Sequence, residues 1–490
     1  MSVDEENGIF DIGLVGLGTM GSNFALNVAD HGFAVAAYNR QADKIKHLKE
    51  IKKDHHKLAM TQDIAELCRM VRSPRAIVLL VPAGPPVDAV IENLLPHLNA
   101  GDLIIDSGNS HFSDTDRRRA SLEEKGLLFI GMGMSGGESG ARHGPSLMPG
   151  GSREGYARVA PILEAAAAQV EAGPCVAYMG PGSAGHYVKM VHNGIEYALM
   201  QLIAESYDLL KRGLGLQAEA LHQVYHRWNQ GVLNSYLLEI TAAIFARKDA
   251  QSGGPLIDLI ADAARQKGTG EWTVADALLI QVPTLTIDTA VMMRHMSGYK
   301  KERIKAASLL FGPSPTIERD QQECIDQLEN ALYCATIIAY AQGMALLKQA
   351  SLTYEYDVHL ADVARVWSGG CIIRAALLKD IQLAYQSDPQ LDNLLLAETL
   401  HGQVQARQGD WRAVVRTGIE VGLPVPGLAS ALAYWDAYRS GWLPANLIMA
   451  QRDYFGAHTY QRIDGPGSFH TAWEASEDPT IPRSGVKTQS

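Results

Sequence analysis

The chain has 490 residues, of which 47% are hydrophobic and 20% are charged. These fractions are typical of a globular protein, and the length allows two or three domains. Since 43 Lys and Arg residues stand against 54 Asp and Glu residues, the formal net charge is −11. That balance argues against a general binder of nucleic acid or of anionic membranes, and we expect neither as a partner. It leaves room for a small basic pocket.

The cysteines and the N-terminus bear on the compartment. The chain contains no C-x-x-C pair among its five cysteines, which are Cys68, Cys175, Cys324, Cys334 and Cys371. This odd number favours reduced thiols in a cytoplasmic protein over a disulfide framework or a zinc site. The first ten residues are acidic, without a basic segment ahead of an apolar stretch, so we expect no signal peptide. No run of about 18 apolar residues predicts a membrane span.

The first predicted elements form a strand, a glycine-rich turn, a helix and a second strand. Gly16, Gly18 and Gly21 fit the spacing G-x-G-x-x-G after an apolar run that ends at Val15. In such a unit the first Gly permits the tight turn, the second lets a pyrophosphate approach, and the third lets helix and strand pack closely. Free N–H groups at the start of the helix would hold the phosphates. The pattern predicts a dinucleotide site that includes Thr19 and Met20, although such a turn can serve packing alone.

The end of the second predicted strand indicates which dinucleotide is bound. An acidic residue usually holds the ribose of NAD about 20 residues after the glycine turn, but Asn39, Arg40 and Gln41 occupy this place. A guanidinium pairs with the 2′-phosphate of NADP, which a carboxylate would repel. We therefore predict NADP as the cofactor. The alternative is that Arg40 is a solvated loop charge.

Further strand-like runs at 76–81, 102–109 and 127–137 alternate with helix-like stretches. This alternation predicts a parallel, doubly wound, Rossmann-like α/β sheet. Each run ends in small or turn-forming residues, and ligands of such sheets bind beyond the carboxyl ends of the strands. We expect the nicotinamide and its substrate beside these turns, which contain Val81, Pro82, Ala83, Asn109, Ser135, Gly136 and Gly137. The alternative is that they are turns only.

Beyond about Gly182 the strand pattern gives way to long helical patterns, at 183–211, 216–247, 321–350 and 358–385. The sequence therefore predicts a Rossmann-like domain over 1–181 and a large all-α domain over 182–445. Residues 446–490 read as an extended, irregular tail, which is either disordered or held by a partner surface.

One predicted helix carries several groups of different chemistry in the stretch KMVHNGIEYALMQL, residues 189–202. At about 100° per residue, Lys189, His192, Asn193 and Glu196 share one face, beside an apolar stripe. To oxidise a secondary alcohol, a base must take the hydroxyl proton while hydride leaves the carbon, and a lysine of lowered pKa can do this near neutral pH. His192 and Asn193 could bind oxygens, and Glu196 could return a proton. On a solvated face, the same residues would form only weak surface pairs.

Other basic groups lie further along the chain. Lys267 and Thr269 occur in a glycine-rich turn, Arg294 in an otherwise apolar stretch, and Arg452 and His458 near the end. An Arg inside an apolar helix needs an anion partner, which is either a ligand or an internal carboxylate.

Together these motifs resemble the 6-phosphogluconate dehydrogenase family. The similar segments are SGGESGARHGPSLMPGG at 135–151, KMVHNGIEY at 189–197, QKGTGEWT at 266–273, GGCIIRA at 369–375 and RDYFGAHTY at 452–460. The resemblance implies oxidative decarboxylation of 6-phosphogluconate to ribulose 5-phosphate and CO2 with reduction of NADP, in the pentose phosphate pathway. It also implies a cytoplasmic homodimer in which each tail reaches into the substrate site of the other subunit.

The resemblance also implies roles for individual residues. Lys189 is similar to the general base that deprotonates the C3 hydroxyl, and Glu196 to the acid that protonates C1 of the enediol that remains after CO2 is lost. The positions that match substrate contacts are Ser135, Gly136, Gly137, His192 and Asn193, then Tyr197, Lys267, Thr269 and Arg294 on the phosphate side, and Arg452 and His458 from the second subunit. No metal is implied, since the ketone accepts the electrons.

Three positions depart from the family pattern. Gln41 stands where the family often has Thr, Pro82 where it often has Lys, and Ser107 where it often has a second Gly. All three border the predicted cofactor, so they bear on cofactor preference and leave the reaction largely untouched.

Two other functions fit parts of the sequence. A β-hydroxyacid dehydrogenase for an unphosphorylated acid would share the glycine turn and the Lys–Asn pair, but it would give Arg294 no phosphate to bind. A sensor of NADP without turnover would leave the set Lys189, Asn193 and Glu196 without a purpose.

Overall fold

The computed structural model describes residues 9–473 and 481–482. The chain divides into two compact units, of which the first extends to Leu432 and the second begins at Ala433.

The first unit begins with strands that alternate with helices. The strands are β1 (Ile12–Val15), β2 (Val35–Tyr38), β3 (Leu58–Thr61), β4 (Ala76–Leu79), β5 (Leu103–Asp106), β6 (Leu128–Ser135) and β7 (Ser146–Gly151). The helices between them and after them are α1 (Thr19–Asp30), α2 (Ala42–Ile51), α3 (Ile64–Met70), α4 (Pro85–Leu94), α5 (Phe112–Glu123), α6 (Gly137–His143) and α7 (Arg153–Ala166). A two-stranded hairpin follows, formed by β8 (Gln169–Val170) and β9 (Gly173–Pro174).

These strands form one sheet in the order β3-β2-β1-β4-β5-β6-β7. The first six strands are parallel, which confirms the Rossmann-like prediction, whereas β7 runs antiparallel to β6. The predicted parallel sheet therefore ends in one antiparallel edge strand. Because the strand order reverses between β1 and β4, their carboxyl ends open the crevice in which such sheets bind ligands.

The core lies on both faces of this sheet. Alternate residues of a strand point to opposite faces, so Leu14 and Val78 pack under α1 and α7, while Val15 and Ile77 pack under α3 and α4. All four side chains are buried. Burial on both faces explains why these strands are continuous apolar runs.

The rest of the first unit is helical. Its helices are α8 (Ala184–Asp208), α9 (Ala218–Trp228), α10 (Tyr236–Ala246), α11 (Thr269–Leu279), α12 (Leu285–Gly298), α13 (Lys300–Ala307), α14 (Gln321–Thr353), α15 (Leu360–Trp367), α16 (Leu377–Ser387) and α17 (Glu398–Glu420). The following helix, α18 (Pro426–Tyr438), runs across the boundary between the units.

Two of the predicted long helices are each a pair of helices. The stretch 216–247 breaks after α9, where Asn229 accepts a hydrogen bond from the backbone N–H of Ser235 and Ser235 caps α10. The stretch 358–385 breaks between α15 and α16, where Gly370 adopts φ +63°. A side-chain cap that begins α10 and a left-handed glycine after α15 therefore divide these stretches, although their hydrophobic pattern continues.

The central helix of this region is α14, with 33 residues. It is long and apolar enough to cross a membrane, but 83% of its most apolar stretch is buried inside the protein, where it packs on α8 and α17. No other helix among the described residues meets that test. Its apolar composition is that of a core helix.

The second unit is more regular than the irregular tail that the sequence predicted. It contains α19 (Ala445–Gly456) and an antiparallel sheet of β10 (Tyr460–Gln461), β11 (Ser468–His470) and β12 (Ile481–Pro482). The buried carboxylate of Asp453 organises it by accepting hydrogen bonds from the backbone N–H groups of Thr459 and Thr471 and from the indole of Trp473. The predicted tail also includes residues 474–480 and 483–490, which lie outside the described residues.

Candidate active site

The polar face of α8 forms a buried hydrogen-bonded cluster. The Nζ atom of Lys189 donates to Oδ1 of Asn193 at 2.5 Å and lies 3.2 Å from Nδ1 of His192. The other ring nitrogen of His192 lies 3.2 Å from Oγ of Ser135 at the end of β6. Glu196 lies one turn further along, with Oε2 3.8 Å from Nδ1 of His192. The structure thus brings these predicted residues together and excludes the solvated-face alternative.

Burial sets the charge of this cluster. The pKa of Lys189 lies below its ordinary value because desolvation penalises the ammonium, although Glu196 opposes this effect. Desolvation likewise holds the pKa of His192 well below its usual value, so the ring is neutral. The pKa of Glu196 is raised by burial against the charges of Lys189 and Arg294. The site therefore holds a readily deprotonated amine beside a readily protonated carboxyl, which are the states of a base and an acid.

Close packing between β6 and α8 places this cluster. A Cβ atom on Gly133 would lie 2.4 Å from Cβ of Lys189, so only glycine lets the helix come this near. Gly136 adopts φ +118° and lies against the carbonyl of Gly370, which turns the chain sharply after Ser135. Gly137 then begins α6. The predicted substrate residues 135–137 thus lie where β6 ends and α6 begins, and Ser135 contacts the cluster through His192.

A second group of predicted residues lies at the outer end of this face. The guanidinium of Arg294, on α12, lies 3.4 Å from the ring centroid of Tyr197. Among the described residues no carboxylate lies within ion-pair distance of it, so the internal salt bridge is not formed. Thr269 is buried as the first residue of α11, which packs on α8 through a hydrogen bond from Thr273 Oγ1 to the carbonyl of Met190. Lys267 is exposed in the turn before α11.

The glycine turn has the geometry of a dinucleotide cradle. A Cβ atom on Gly16, which adopts φ +104°, would lie 2.4 Å from the carbonyl of Leu80, and one on Gly21 would lie 1.8 Å from the carbonyl of Gly16. Gly18 faces open space, with no atom within 4 Å of its Cβ position. The turn therefore leaves room for a pyrophosphate where α1 begins at Thr19 and Met20 without a side-chain cap. These residues fit a bound dinucleotide.

The three residues after β2 differ in their surroundings. The side chain of Asn39 accepts a hydrogen bond from the backbone N–H of Leu17 at 3.2 Å, which ties β2 to the glycine turn. Arg40 is exposed, and among the described residues no carboxylate pairs with it. Gln41 is the N-cap position of α2. A free guanidinium at this place fits a 2′-phosphate.

The loops after β4 and β5 contain the remaining predicted cofactor residues. Val81 is half-buried, whereas Pro82, Ala83 and Asn109 are exposed in the crevice-side turns. Ser107, one of the departures from the family pattern, is buried, and its Oγ has no hydrogen-bond partner among the described residues.

Sequence reasoning missed several residues that shape the site. The buried ring of His186 contacts Thr115 Oγ1 at 2.6 Å, beneath the loop after β5. Trp367 lies edge-on to His192 at a centroid distance of 5.7 Å. Arg118 is buried below the same loop, although the run of three arginines that contains it looks like a solvated face. The alternating glycines at 131 and 133 were a usable signal of close helix packing.

Arg452 and His458 lie in the second unit. Both are exposed, and the ring of His458 contacts Phe455 at a centroid distance of 5.9 Å.

Comparison with known proteins agrees with this geometry. The family described as the NAD binding domain of 6-phosphogluconate dehydrogenase matches residues 11–180, and the one described as its C-terminal domain matches residues 185–473. An NADP(+)-dependent, decarboxylating 6-phosphogluconate dehydrogenase of Bacillus subtilis is 50% identical over 463 residues, which are 94% of this chain and 98% of the relative. A decarboxylating relative from Synechococcus elongatus is 52% identical over 464 residues, with the same coverage.

A solved structure is similar over the same length. The Plasmodium falciparum 6-phosphogluconate dehydrogenase, described in its apo form and in complexes with NADP+ and with 6-phosphogluconate, superposes with a TM-score of 0.90 at 43% identity. The match covers 94% of this chain and 100% of the other. The chain therefore belongs to the 6-phosphogluconate dehydrogenase family.

Proposed function

We propose that the cluster around Lys189 carries out the reaction for which the family is named. The chain is an NADP-dependent oxidoreductase that converts 6-phosphogluconate to ribulose 5-phosphate and CO2, a step of the pentose phosphate pathway. The single observation that supports these roles is the buried contact of Lys189 with Asn193, in which burial lowers the pKa of the amine.

The residues of α8 have separate tasks in this proposal. Neutral Lys189 takes the proton of the C3 hydroxyl, and Asn193 and His192 hold the substrate oxygens. Bound NADP supplies the acceptor for the hydride that leaves C3. The resulting ketone lies β to the carboxylate, so it accepts the electron pair when CO2 departs, and protonated Lys189 returns its proton to the C3 oxygen. Protonated Glu196 then gives a proton to the carbon that lost the carboxylate, which is C2 of 6-phosphogluconate and C1 of ribulose 5-phosphate, while Lys189 takes back the proton of the C3 oxygen so that the carbonyl of the product forms.

The substrate is held at both ends. Ser135, Gly136 and Gly137 contact the sugar acid from the strand end. The phosphate binds to Tyr197, Lys267, Thr269 and Arg294. The Arg294 guanidinium is available for it, because it has no carboxylate partner in the described structure and lies on an aromatic face.

The cofactor occupies the crevice of the sheet. Its pyrophosphate lies on the turn of Gly16, Gly18 and Gly21, at the N–H groups of Thr19 and Met20. Arg40, with Asn39 and Gln41 beside it, binds the 2′-phosphate. Val81, Pro82, Ala83 and Asn109 border the nicotinamide. Residues 1–181 thus form the NADP-binding domain, and 182–445 the substrate and dimerisation domain.

The test is absorbance at the reduced-nicotinamide band with 6-phosphogluconate and either NADP or NAD, while CO2 is trapped. We expect NADPH and CO2 in equal amounts. NADPH without CO2 from unphosphorylated hydroxyacids alone would favour the β-hydroxyacid dehydrogenase. Binding of NADP without reduction would favour the sensor. Activity with NAD alone would overturn the role of Arg40.

We further propose a cytoplasmic homodimer in which residues 446–490 reach into the substrate site of the other subunit. Two observations support this. The second unit exposes large apolar side chains, among them Trp442, Leu447 and Phe455, as an interface does. Arg452 has no carboxylate partner among the described residues. The five free cysteines are all buried, which fits a reducing compartment.

Mixed dimers test the exchange of tails. Lys189→Gln and Arg452→Gln should each be inactive alone. When the two are co-expressed, one site of each mixed dimer combines an intact Lys189 with an intact Arg452 from the other subunit. Random pairing would then restore about a quarter of wild-type activity. No recovery in a verified mixed dimer would contradict exchange.

A further inference from the structure

Arg118 is the buried member of a run of three arginines on α5. Its side chain is 2% exposed, whereas those of Arg117 and Arg119 are 57% and 31% exposed. A buried guanidinium must place its donors on acceptors, because an unpaired buried charge is strongly unfavourable.

Each donor of Arg118 finds an acceptor. Nε and Nη2 bind the two carboxylate oxygens of Asp88 at 2.7 and 3.1 Å. Nη2 also donates to the carbonyl of Gly84 at 3.0 Å. Nη1 donates to Oγ of Ser110 at 3.1 Å and to Oδ2 of Asp106 at 3.3 Å. These five contacts match the five N–H groups of a guanidinium.

The acceptors belong to two different loops. Gly84 and Asp88 lie where the loop after β4 enters α4. Asp106 and Ser110 flank the loop after β5, and Asp106 also accepts from the backbone N–H of Gly108 at 3.0 Å. The loops touch, since a Cβ atom on Gly108 would lie 3.2 Å from the carbonyl of Val81. Arg118 therefore joins the loop that carries residues 81–83 to the loop that carries Asn109.

We propose that Arg118 is a positioning residue that fixes the two loops bordering the nicotinamide half of NADP. The inference rests on the proposed function, which places Val81–Ala83 and Asn109 beside that ring. Hydride transfer requires the ring at a defined distance from C3, and small displacements of a reacting group cost large factors in rate. The adenosine half lies on the glycine turn and Arg40, which Arg118 does not contact.

This division gives a specific test. Lysine offers three donors on a point charge and cannot span both loops as a planar guanidinium does. In Arg118→Lys we expect kcat/KM for NADP to fall on the order of 10- to 100-fold, and NADP to bind more weakly by calorimetry. Adenosine 2′,5′-bisphosphate, which lacks the nicotinamide half, should bind as it does to the wild type. A substitution that only destabilised the domain would weaken the binding of both ligands.

Matched variants complete the experiment. Arg117→Gln removes an exposed contact to the same Asp88 at 3.1 Å but leaves every contact of Arg118 to the two loops in place, and it should leave both ligands unaffected. Asp88→Asn removes the charge of the bidentate partner and keeps its shape. If Arg118→Lys does not fold, the same binding and kinetic measurements on Asp88→Asn test the role of Arg118. Unchanged NADP kinetics and binding in the folded variant, or equal weakening of both ligands, would overturn the role of Arg118. An inactive wild type would instead overturn the proposed function, and the binding comparison would still test Arg118.

Discussion

The Nζ atom of Lys189 lies 2.5 Å from Oδ1 of Asn193, one helical turn further along α8, with both side chains buried. The amide oxygen accepts from the amine and so orients it, while burial lowers the pKa of Lys189. An amine that is oriented and readily neutral has its lone pair available for a substrate proton.

Replacing this amine should abolish turnover without unfolding the protein. In Lys189→Gln we expect kcat to fall on the order of 10²- to 10⁴-fold, the usual contribution of a general base. Lys189→Arg should be equally slow, because a guanidinium is not deprotonated in proteins. NADPH formation measures the effect, and the melting temperature reports folding. Lys211→Gln, which removes a lysine paired with Asp258 beyond the end of α8, is the control and should stay active.

The rate should depend on pH through two groups, one of which must be deprotonated and the other protonated. The proposed base Lys189 must be neutral, and raising the pH through its lowered pKa supplies that form. The proposed acid Glu196 must be protonated, and raising the pH through its raised pKa removes that form. We therefore expect a bell-shaped profile of kcat, measured from pH 5 to 10. Glu196→Gln should lower kcat and lose the alkaline limb. A rate that climbs steadily to pH 10 would contradict both assignments.

The features that the sequence predicted correctly are local in the chain. The glycine turn and the polar face of α8 depend on spacings of a few residues. The spacing of the glycine motif therefore locates Gly16, and the helical period locates Lys189. Two predicted helices were wrong in length, because the N-cap Ser235 begins a new helix and the left-handed Gly370 interrupts the chain, although the hydrophobic pattern continues through both. Strand β7 was missed since it contains Pro149 and two glycines, which are unfavourable in strands.

The burial of single residues could not be predicted in this way. The glycines at 131 and 133 signal that another element comes close, but only the structure shows that the element approaching Gly133 carries Lys189. Arg118 looks like its exposed neighbours until its acceptors, up to 34 residues away, are brought together. Such contacts depend on which elements meet in three dimensions, and a pattern read along one segment does not contain that information.

At one position of the glycine turn, Gly18, a substitution should weaken cofactor binding without affecting folding. Gly18 adopts φ −70°, which any residue tolerates, and its Cβ position faces open space. Gly18→Ala should therefore leave the melting temperature unchanged while its methyl group obstructs the pyrophosphate, so NADP should bind about tenfold or more weakly. Calorimetric titration with NADP measures this. Gly402→Ala, at an equally open position in α17, is the control. Unchanged affinity in Gly18→Ala would place the cofactor elsewhere.

Glu205, further along α8, should make stability depend on pH. Its carboxylate accepts hydrogen bonds from the backbone N–H groups of Gly427 and Leu428 at 2.7 and 2.9 Å, at the start of α18. These bonds favour the charged form, but burial outweighs them and raises the pKa of Glu205 from 4.5 to about 7. The folded state therefore binds more protons than the unfolded state between these values, and stability falls as the pH rises through that window.

The slope of stability against pH, rather than its absolute value, tests this assignment. The shift at Glu205 corresponds to about 3 kcal/mol of unfolding free energy, present below pH 4.5 and lost by pH 8. Glu205→Gln removes the titration, and its cost from the mismatched amide is the same at every pH. Since part of this stability is already lost at pH 5, urea unfolding at pH 5 and pH 8 should show that the wild type loses about 2.5 kcal/mol relative to this variant. Glu219→Gln, exposed in the first turn of α9, should keep the wild-type slope. Equal slopes in wild type and Glu205→Gln would mean that Glu205 stays ionised in the folded protein. The hydrogen bonds from the start of α18 would then stabilise the carboxylate by more than burial destabilises it.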